Sequence, residues 1–304
     1  MAQIISVASG KGGVGKSVVA TNLALLLARK GKQVVLADLD VGGADAHILL
    51  GLLNPPMTLT DFLTHRVEQL DALAQRLPLH SNLRIIPGTG DTLATANMPY
   101  SQKKRLIRHF QDIHADVIVV DIGAGTSYHA LDFFLMADHH IAVATPDPTS
   151  VLDLYRFIKL AAIRRVLSMF LMRDVTAEGL ANRDYSSVEE VLDVAGKTDE
   201  SGRKIAETTL QAFHPSLILN RTSGRARVNV PQLKKLLKEY VGDIHRSGTL
   251  LLSLIQPAGD VGLYGVPTKM FELLTTLPVM FAGLMLPLLS AAAADRPRFA
   301  ATLA

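Results

Sequence analysis

Eight consecutive residues, Gly10-Lys11-Gly12-Gly13-Val14-Gly15-Lys16-Ser17, put two lysines, a hydroxyl and four glycines into one short stretch. The spacing fits G-x-x-x-x-G-K-[ST] at every position. Glycines let the backbone curl close enough for its N–H groups to surround phosphate oxygens. A helix starting behind them adds the positive end of its dipole. Lys16 can then reach the β- and γ-phosphates of a nucleotide, and the Ser17 hydroxyl is a hard oxygen suited to Mg²⁺. The bland alternative is a glycine-rich turn with a chance lysine.

Three further places carry chemistry. Asp38-Leu39-Asp40 closes an apolar run and places two carboxylates two residues apart. Val117-Ile118-Val119-Val120-Asp121 closes on an acid followed by Ile122-Gly123-Ala124-Gly125. A carboxylate at that strand end can hold Mg²⁺ through water, and the glycines after it can adjust to a γ-phosphate. Leu217-Ile218-Leu219-Asn220 ends in an amide, which can donate to and accept from an adenine edge at once. The plainer readings are a turn cap for Asp38 and for Asn220.

These residues need elements to hold them together. Apolar, β-branched runs at 4–8, 34–38, 83–87, 117–121, 141–145, 217–220 and 250–255 read as strands. Helical stretches lie between most of them: 17–30, closed by Gly31; 101–113, with Leu106, Ile107, Phe110 and Ile113 on one stripe; 148–167; and 231–241. Buried runs alternating with helices predict an α/β fold. The sheet is doubly wound and mostly parallel, of about seven strands, with helices on both faces, a P-loop NTPase fold. Ligands of such sheets sit at the carboxyl ends of the strands, where every residue named above falls. Residues 173–212 are polar and charge-mixed, with Glu189-Glu190, Asp199-Glu200 and Arg203-Lys204, and read as a solvated insertion or a partner-binding lobe.

Composition narrows the chemistry. The 304 residues are 48% hydrophobic and 19% charged, enough apolar material for a full core and too little charge for a disordered chain. There is no cysteine, which excludes disulfides, thiolate metal sites and a cysteine nucleophile. A net charge of +3 is too small to announce a nucleic-acid partner, and Lys103, Lys104, Arg105 and Arg108 could supply only a weak phosphate-backbone patch. No basic stretch precedes the first apolar residues, so a cytoplasmic chain without signal peptide is expected.

Lys11, directly after the first glycine, is unnecessary in an ordinary phosphate loop. With it, the loop resembles the deviant loop of the MinD/ParA family of ATPases. The resemblance runs through about residues 1–167 and again near 215–242. It implies that Lys11 crosses a dimer interface to the nucleotide of the opposite subunit, a role comparable to an arginine finger. It implies that Asp40 orients the water attacking the γ-phosphate with Asp38 in support, and that Asp121 serves Mg²⁺ with Ser17 and Asp38. It implies that Asn220 recognises the base. Lys11, Lys16 and Asp40 are thus the expected catalytic residues, with ATP and Mg²⁺ as cofactors.

Ala144-Thr145-Pro146-Asp147-Pro148-Thr149-Ser150, followed by Val151-Leu152-Asp153-Leu154-Tyr155, looks most like the flagellar-number regulators of this family, the FlhG or FleN group. The group's N-terminal activator motif does not appear ahead of the first strand. The expected function is an ATP-dependent homodimerisation switch that hydrolyses ATP slowly, answers to a regulatory protein partner, and sets the placement or number of a cell structure. MinD-like division-site and ParA-like partition ATPases are alternatives, and so is a metabolite kinase or ligase. The expected layout is an ATPase domain over 1–270 and an apolar segment over 271–304. Residues 273–294 carry no charge, but Pro278 and Pro287 interrupt them, so they read as a buried closing element, a peripheral membrane-lipid anchor at the inner face of the membrane, or a membrane-spanning tail anchor.

Overall fold

The apolar runs become the strands of one sheet. The structure, a computed structural model, describes residues 1–40, 43–78, 80–88, 98–171, 185–198 and 201–220. All of them lie in the first of the chain's two units, Met1–Gln256. The strands are β1 (Gln3–Ala8), β2 (Val34–Leu39), β3 (Gln75–Leu77), β4 (His80–Ile86), β5 (Val117–Ile122), β6 (His139–Ala144) and β7 (Ser216–Leu219). The helices are α1 (Lys16–Arg29), α2 (Ala46–Leu49), α3 (Leu59–Leu63), α4 (Tyr100–His109), α5 (Tyr128–Leu135), α6 (Pro148–Leu171), α7 (Val188–Thr198) and α8 (Gly202–Gln211).

The seven strands pair in the order β3-β4-β2-β5-β1-β6-β7, all parallel except β3, which runs antiparallel along β4. This is the expected mostly parallel sheet of seven strands. Strand β3 was not foreseen, and the expected strand at 250–255 and helix at 231–241 lie outside the described residues. So does the segment 271–304.

The connection after β1 leads to β2 and the one after β5 leads to β6, so the chain leaves these neighbouring strands in opposite directions. Right-handed crossovers then place α1 and α5 on opposite faces of the sheet. A crevice opens at the carboxyl ends of β1 and β5, where such sheets take their ligands.

The central strands β2 and β5 are buried at every position. Each buried Val, Leu or Ile contributes about 1.5–3 kcal/mol, which explains their runs of aliphatic side chains. Each strand admits one polar residue, and register sets the two side by side: Asp38 pairs with Asp121, and Asp121 also faces Val7 of β1. Both carboxylates are wholly buried. Among the described residues no helix is long and apolar enough to cross a membrane.

The described part of 173–212 is a helical hairpin, α7 and α8. Its charges do form a solvated face: Arg203 donates to Glu189, Asp193 and Glu207 at 2.8, 2.6 and 3.0 Å. Its other face is core. Val188, Val191, Leu192, Ala195, Ala206 and Leu210 are buried together with Phe157 and Phe170 of α6. The described part of the segment therefore packs against α6 rather than standing apart from the fold.

Candidate nucleotide site

The site begins with the turn from β1 into α1. Gly13 and Gly15 adopt left-handed φ of 77° and 89°, which a side chain disfavours. Gly15 has a second constraint: a Cβ there would stand 2.2 Å from Asn220 Nδ2. Gly10 faces a backbone instead, since a Cβ would lie 2.1 Å from the Asp153 carbonyl oxygen of α6. The N-terminus of α1 has no side-chain cap and no acid in its first turn. Its backbone N–H groups are thus left for an anion. Val14 is buried beneath the turn, whereas Lys11, Gly12 and Gly13 are exposed.

Lys16 opens the helix and points into the sheet. Its Nζ donates to Asp121 Oδ1 at 2.6 Å, to Asp40 Oδ2 at 3.3 Å and to Ser17 Oγ at 3.4 Å. Burial disfavours its charge, but the charge and hydrogen bond of Asp121, with Asp40 and Asp38 behind, outweigh that and hold the ammonium above its ordinary pKa. Lysine and carboxylates neutralise one another where no phosphate is present.

The three acids differ in their work. Asp38 accepts the backbone N–H of Asp40 at 3.0 Å on one oxygen and that of Ala46 at 3.1 Å on the other. Both oxygens are spent on organising the loop between β2 and α2, which matches the turn-cap reading of this residue. Burial, with the Asp121 charge beside it, pushes the Asp38 carboxyl up to about 7. Asp40 is the one at the surface, at 21% side-chain exposure, and a Cβ at Gly123, just after β5, would stand 3.2 Å from its Oδ1. Asp121 gives Oδ1 to Lys16, its buried Oδ2 lacks a hydrogen-bond partner, and the Ser17 hydroxyl lies near the carboxylate. An unsatisfied carboxylate oxygen next to a hydroxyl fits a hydrated Mg²⁺. Among the described residues no group of three or more acids or histidines is arranged to hold a metal on its own. Mg²⁺ would therefore enter with phosphate oxygens supplying the remaining ligands.

Lys11 turns the other way. Its Nζ donates to Thr149 Oγ1 at 2.7 Å and stands 3.8 Å from Asp147 Oδ1, in the turn that starts α6. Asp147 is braced by the hydroxyls of Thr145 and Thr149 and the N–H of Ser150, which with Lys11 hold its carboxyl far below the usual range. The sequence marked this turn as a family signature without showing that it receives Lys11. Ser9 also belongs to the site, though no motif marks it. It is wholly buried, its hydroxyl donates to the Lys11 carbonyl at 2.9 Å, and its own carbonyl accepts the Gly125 N–H at 3.0 Å. Asn220, at the end of β7, donates its backbone N–H to the Ala144 carbonyl and its Nδ2 to the Val14 carbonyl, each at 2.8 Å.

A family model described as ParA: NUBPL iron-transfer P-loop NTPase matches residues 1–171. The chain belongs to the ParA family. Antiactivator FleN of Pseudomonas aeruginosa is 41% identical over 160 residues, 52% of this chain and 56% of FleN. Flagellum site-determining protein YlxH of Helicobacter pylori is 30% identical over 183 residues, 58% of this chain and 59% of YlxH. The chain thus spans little more than half the length of either relative. A solved ParA-family ATPase from Chlorobium tepidum shares the fold at a TM-score of 0.52 and 19% identity, over 78% of this chain and 81% of that one.

The four basic residues of α4 do not form one exposed patch. Lys103 is buried against Asp132, and Arg105 lies on the Phe62 ring at 4.0 Å and donates to the Phe62 and Glu68 carbonyls. Only Lys104 and Arg108 of the four are exposed.

Proposed function

We propose that this chain is an ATP-dependent dimerisation switch of the MinD/ParA type that hydrolyses ATP slowly. The observation that carries the reading is the division of labour between the two lysines. Lys16 serves its own site, buried among the carboxylates. Lys11 reaches outward onto the surface at Thr149 and Asp147, where a second copy could receive it.

The chemistry follows from placement. The N–H groups of Gly12 to Ser17 bind the phosphates, and Lys16 exchanges its hold on Asp121 and Asp40 for phosphate oxygens. Asp121 and Ser17 would hold Mg²⁺, which offsets the charge of the triphosphate when bound. That offset matters in a pocket that already contains Asp38, Asp40 and Asp121. Asp40, freed from Lys16 and standing at the surface, orients the attacking water. It stands close to Gly123, in the segment after β5, with no room for a side chain between them, so the two can respond together to the γ-phosphate. Lys11 of a second copy adds positive charge where the γ-phosphate leaves. Asn220 is the residue assigned to the base.

The output is then a change of partner, not a product. The likeness to FleN and YlxH favours the placement or number of a flagellum-related structure. A MinD-like division-site role and a ParA-like partition role are the alternatives within the family. The decisive experiment is light scattering on Asp40→Ala in ATP and Mg²⁺. The variant is expected to bind ATP and accumulate as a dimer. A variant that binds ATP and stays monomeric overturns the switch. Rapid phosphoryl transfer to a small metabolite would instead place the chain among kinases or ligases.

A further inference from the structure

Asn220 reaches the phosphate loop across the sheet. It stands on the far side of β6 from the loop, yet its Nδ2 donates to the Val14 carbonyl at 2.8 Å. Its own backbone is fixed by the bond from its N–H to the Ala144 carbonyl of β6, also 2.8 Å. The side chain therefore leaves a rigid strand end and has one short path to the loop. Gly15 gives independent evidence that the fit is tight. The amide nitrogen occupies the space of the missing Cβ, at 2.2 Å from where that atom would be. The Val14 carbonyl has to point away from the phosphates if the neighbouring N–H groups are to point at them.

We infer that Asn220 is a positioning residue that clamps the phosphate loop through the Val14 carbonyl and so sets phosphate affinity whatever base is attached. This rests on the reading of the loop as a nucleotide site and goes beyond the assignment of Asn220 to the base. The clamp makes the edge strand β7 part of the phosphate grip.

The test compares the full chain with Asn220→Ala in displacement of a fluorescent nucleotide by ATP, by GTP and by inorganic tripolyphosphate, all with Mg²⁺. A clamp predicts that all three weaken together, by about 5- to 10-fold each, the scale of one lost hydrogen bond. Loss of ATP affinity with tripolyphosphate unchanged makes Asn220 a reader of the base alone and overturns the clamp. A second readout needs no ligand. Amide hydrogen exchange of the nucleotide-free protein should rise in the variant at Val19 and Ala20, the first amides of α1 bonded back to the loop end at Gly15 and Lys16, with β5 unchanged. Unchanged exchange at Val19 and Ala20 overturns the clamp too. If the wild-type chain binds none of the three ligands, the nucleotide reading fails and the exchange experiment alone decides. Should Asn220→Ala not fold, Asn220→Ser keeps a hydroxyl that is too short to span to Val14 and serves the same measurements.

Discussion

Lys11 and Lys16 stand five residues apart in one loop and occupy opposite surroundings. Lys16 is 6% exposed and has carboxylates at 2.6 and 3.3 Å. Lys11 is 45% exposed and shares a hydroxyl at 2.7 Å with a carboxylate at 3.8 Å. Removing one member of a buried pair strands its partner and costs about 3–5 kcal/mol, whereas an exposed pair contributes about 1 kcal/mol or less. One lysine is held among its acids and, on the proposed reading, leaves them only for phosphate. The other can leave its turn at little cost.

The sharpest way to break that contrast is Lys16→Ala. The substitution leaves Asp121 and Asp38 buried without their cation. It is expected to lower unfolding free energy by about 3–5 kcal/mol in urea titration and to weaken ATP by more than about 100-fold. A variant as stable as the wild type would show that the carboxylates were never in need of Lys16.

A smaller effect comes from pH. The Asp38 carboxyl titrates at about 7 in the folded chain and near 3.8 as a free side chain. A pKa raised by folding gives stability that is complete below the unfolded value and is lost as pH rises through the folded one. Without nucleotide, the wild type should therefore lose stability relative to Asp38→Asn between pH 5 and 8.5, on the order of 2 kcal/mol. Parallel stability curves for the two proteins would place Asp38 outside this electrostatic tension.

The smallest expected change belongs to Lys11→Ala. Unfolding free energy should stay within about 0.5 kcal/mol, and ATP affinity of the monomer within about threefold. Introduced into Asp40→Ala, the same substitution should abolish the ATP-dependent dimer in light scattering. A loss of stability above about 1.5 kcal/mol would erase the distinction between the two lysines.

The strands with strong aliphatic runs were legible almost to the residue, because a parallel sheet buries both faces and writes that into composition. Strand β3 was not. It has three residues, Gln75-Arg76-Leu77, of which only Leu77 is buried, so no periodicity can announce it. The solvated face of the hairpin α7–α8 was legible, because Glu189, Asp193, Arg203 and Glu207 dominate its composition. The buried face behind them is a few aliphatic residues at helical spacing. In the site, glycine spacing and the types at 16, 17, 38, 40 and 121 were enough to bring the residues to one crevice. What escaped were contacts set only by the fold. Thr149 lies 138 residues from Lys11, and nothing local to either marks them as partners.

The link from Asn220 to Val14 spans 206 residues. At synthesis rates of about 5–20 residues per second, β1, the glycine loop and α1 exist for about 10–40 s before the residue that closes on them is made. The core strands β2 and β5 can assemble in that interval, since their partners come earlier. On the clamp proposed above, the loop reaches its final shape only once β7 docks beside β6. A nascent or truncated chain ending before residue 220 would then carry the whole loop motif and hold phosphate poorly. On that reading nucleotide capture is scheduled, the last local event in the birth of the described fold.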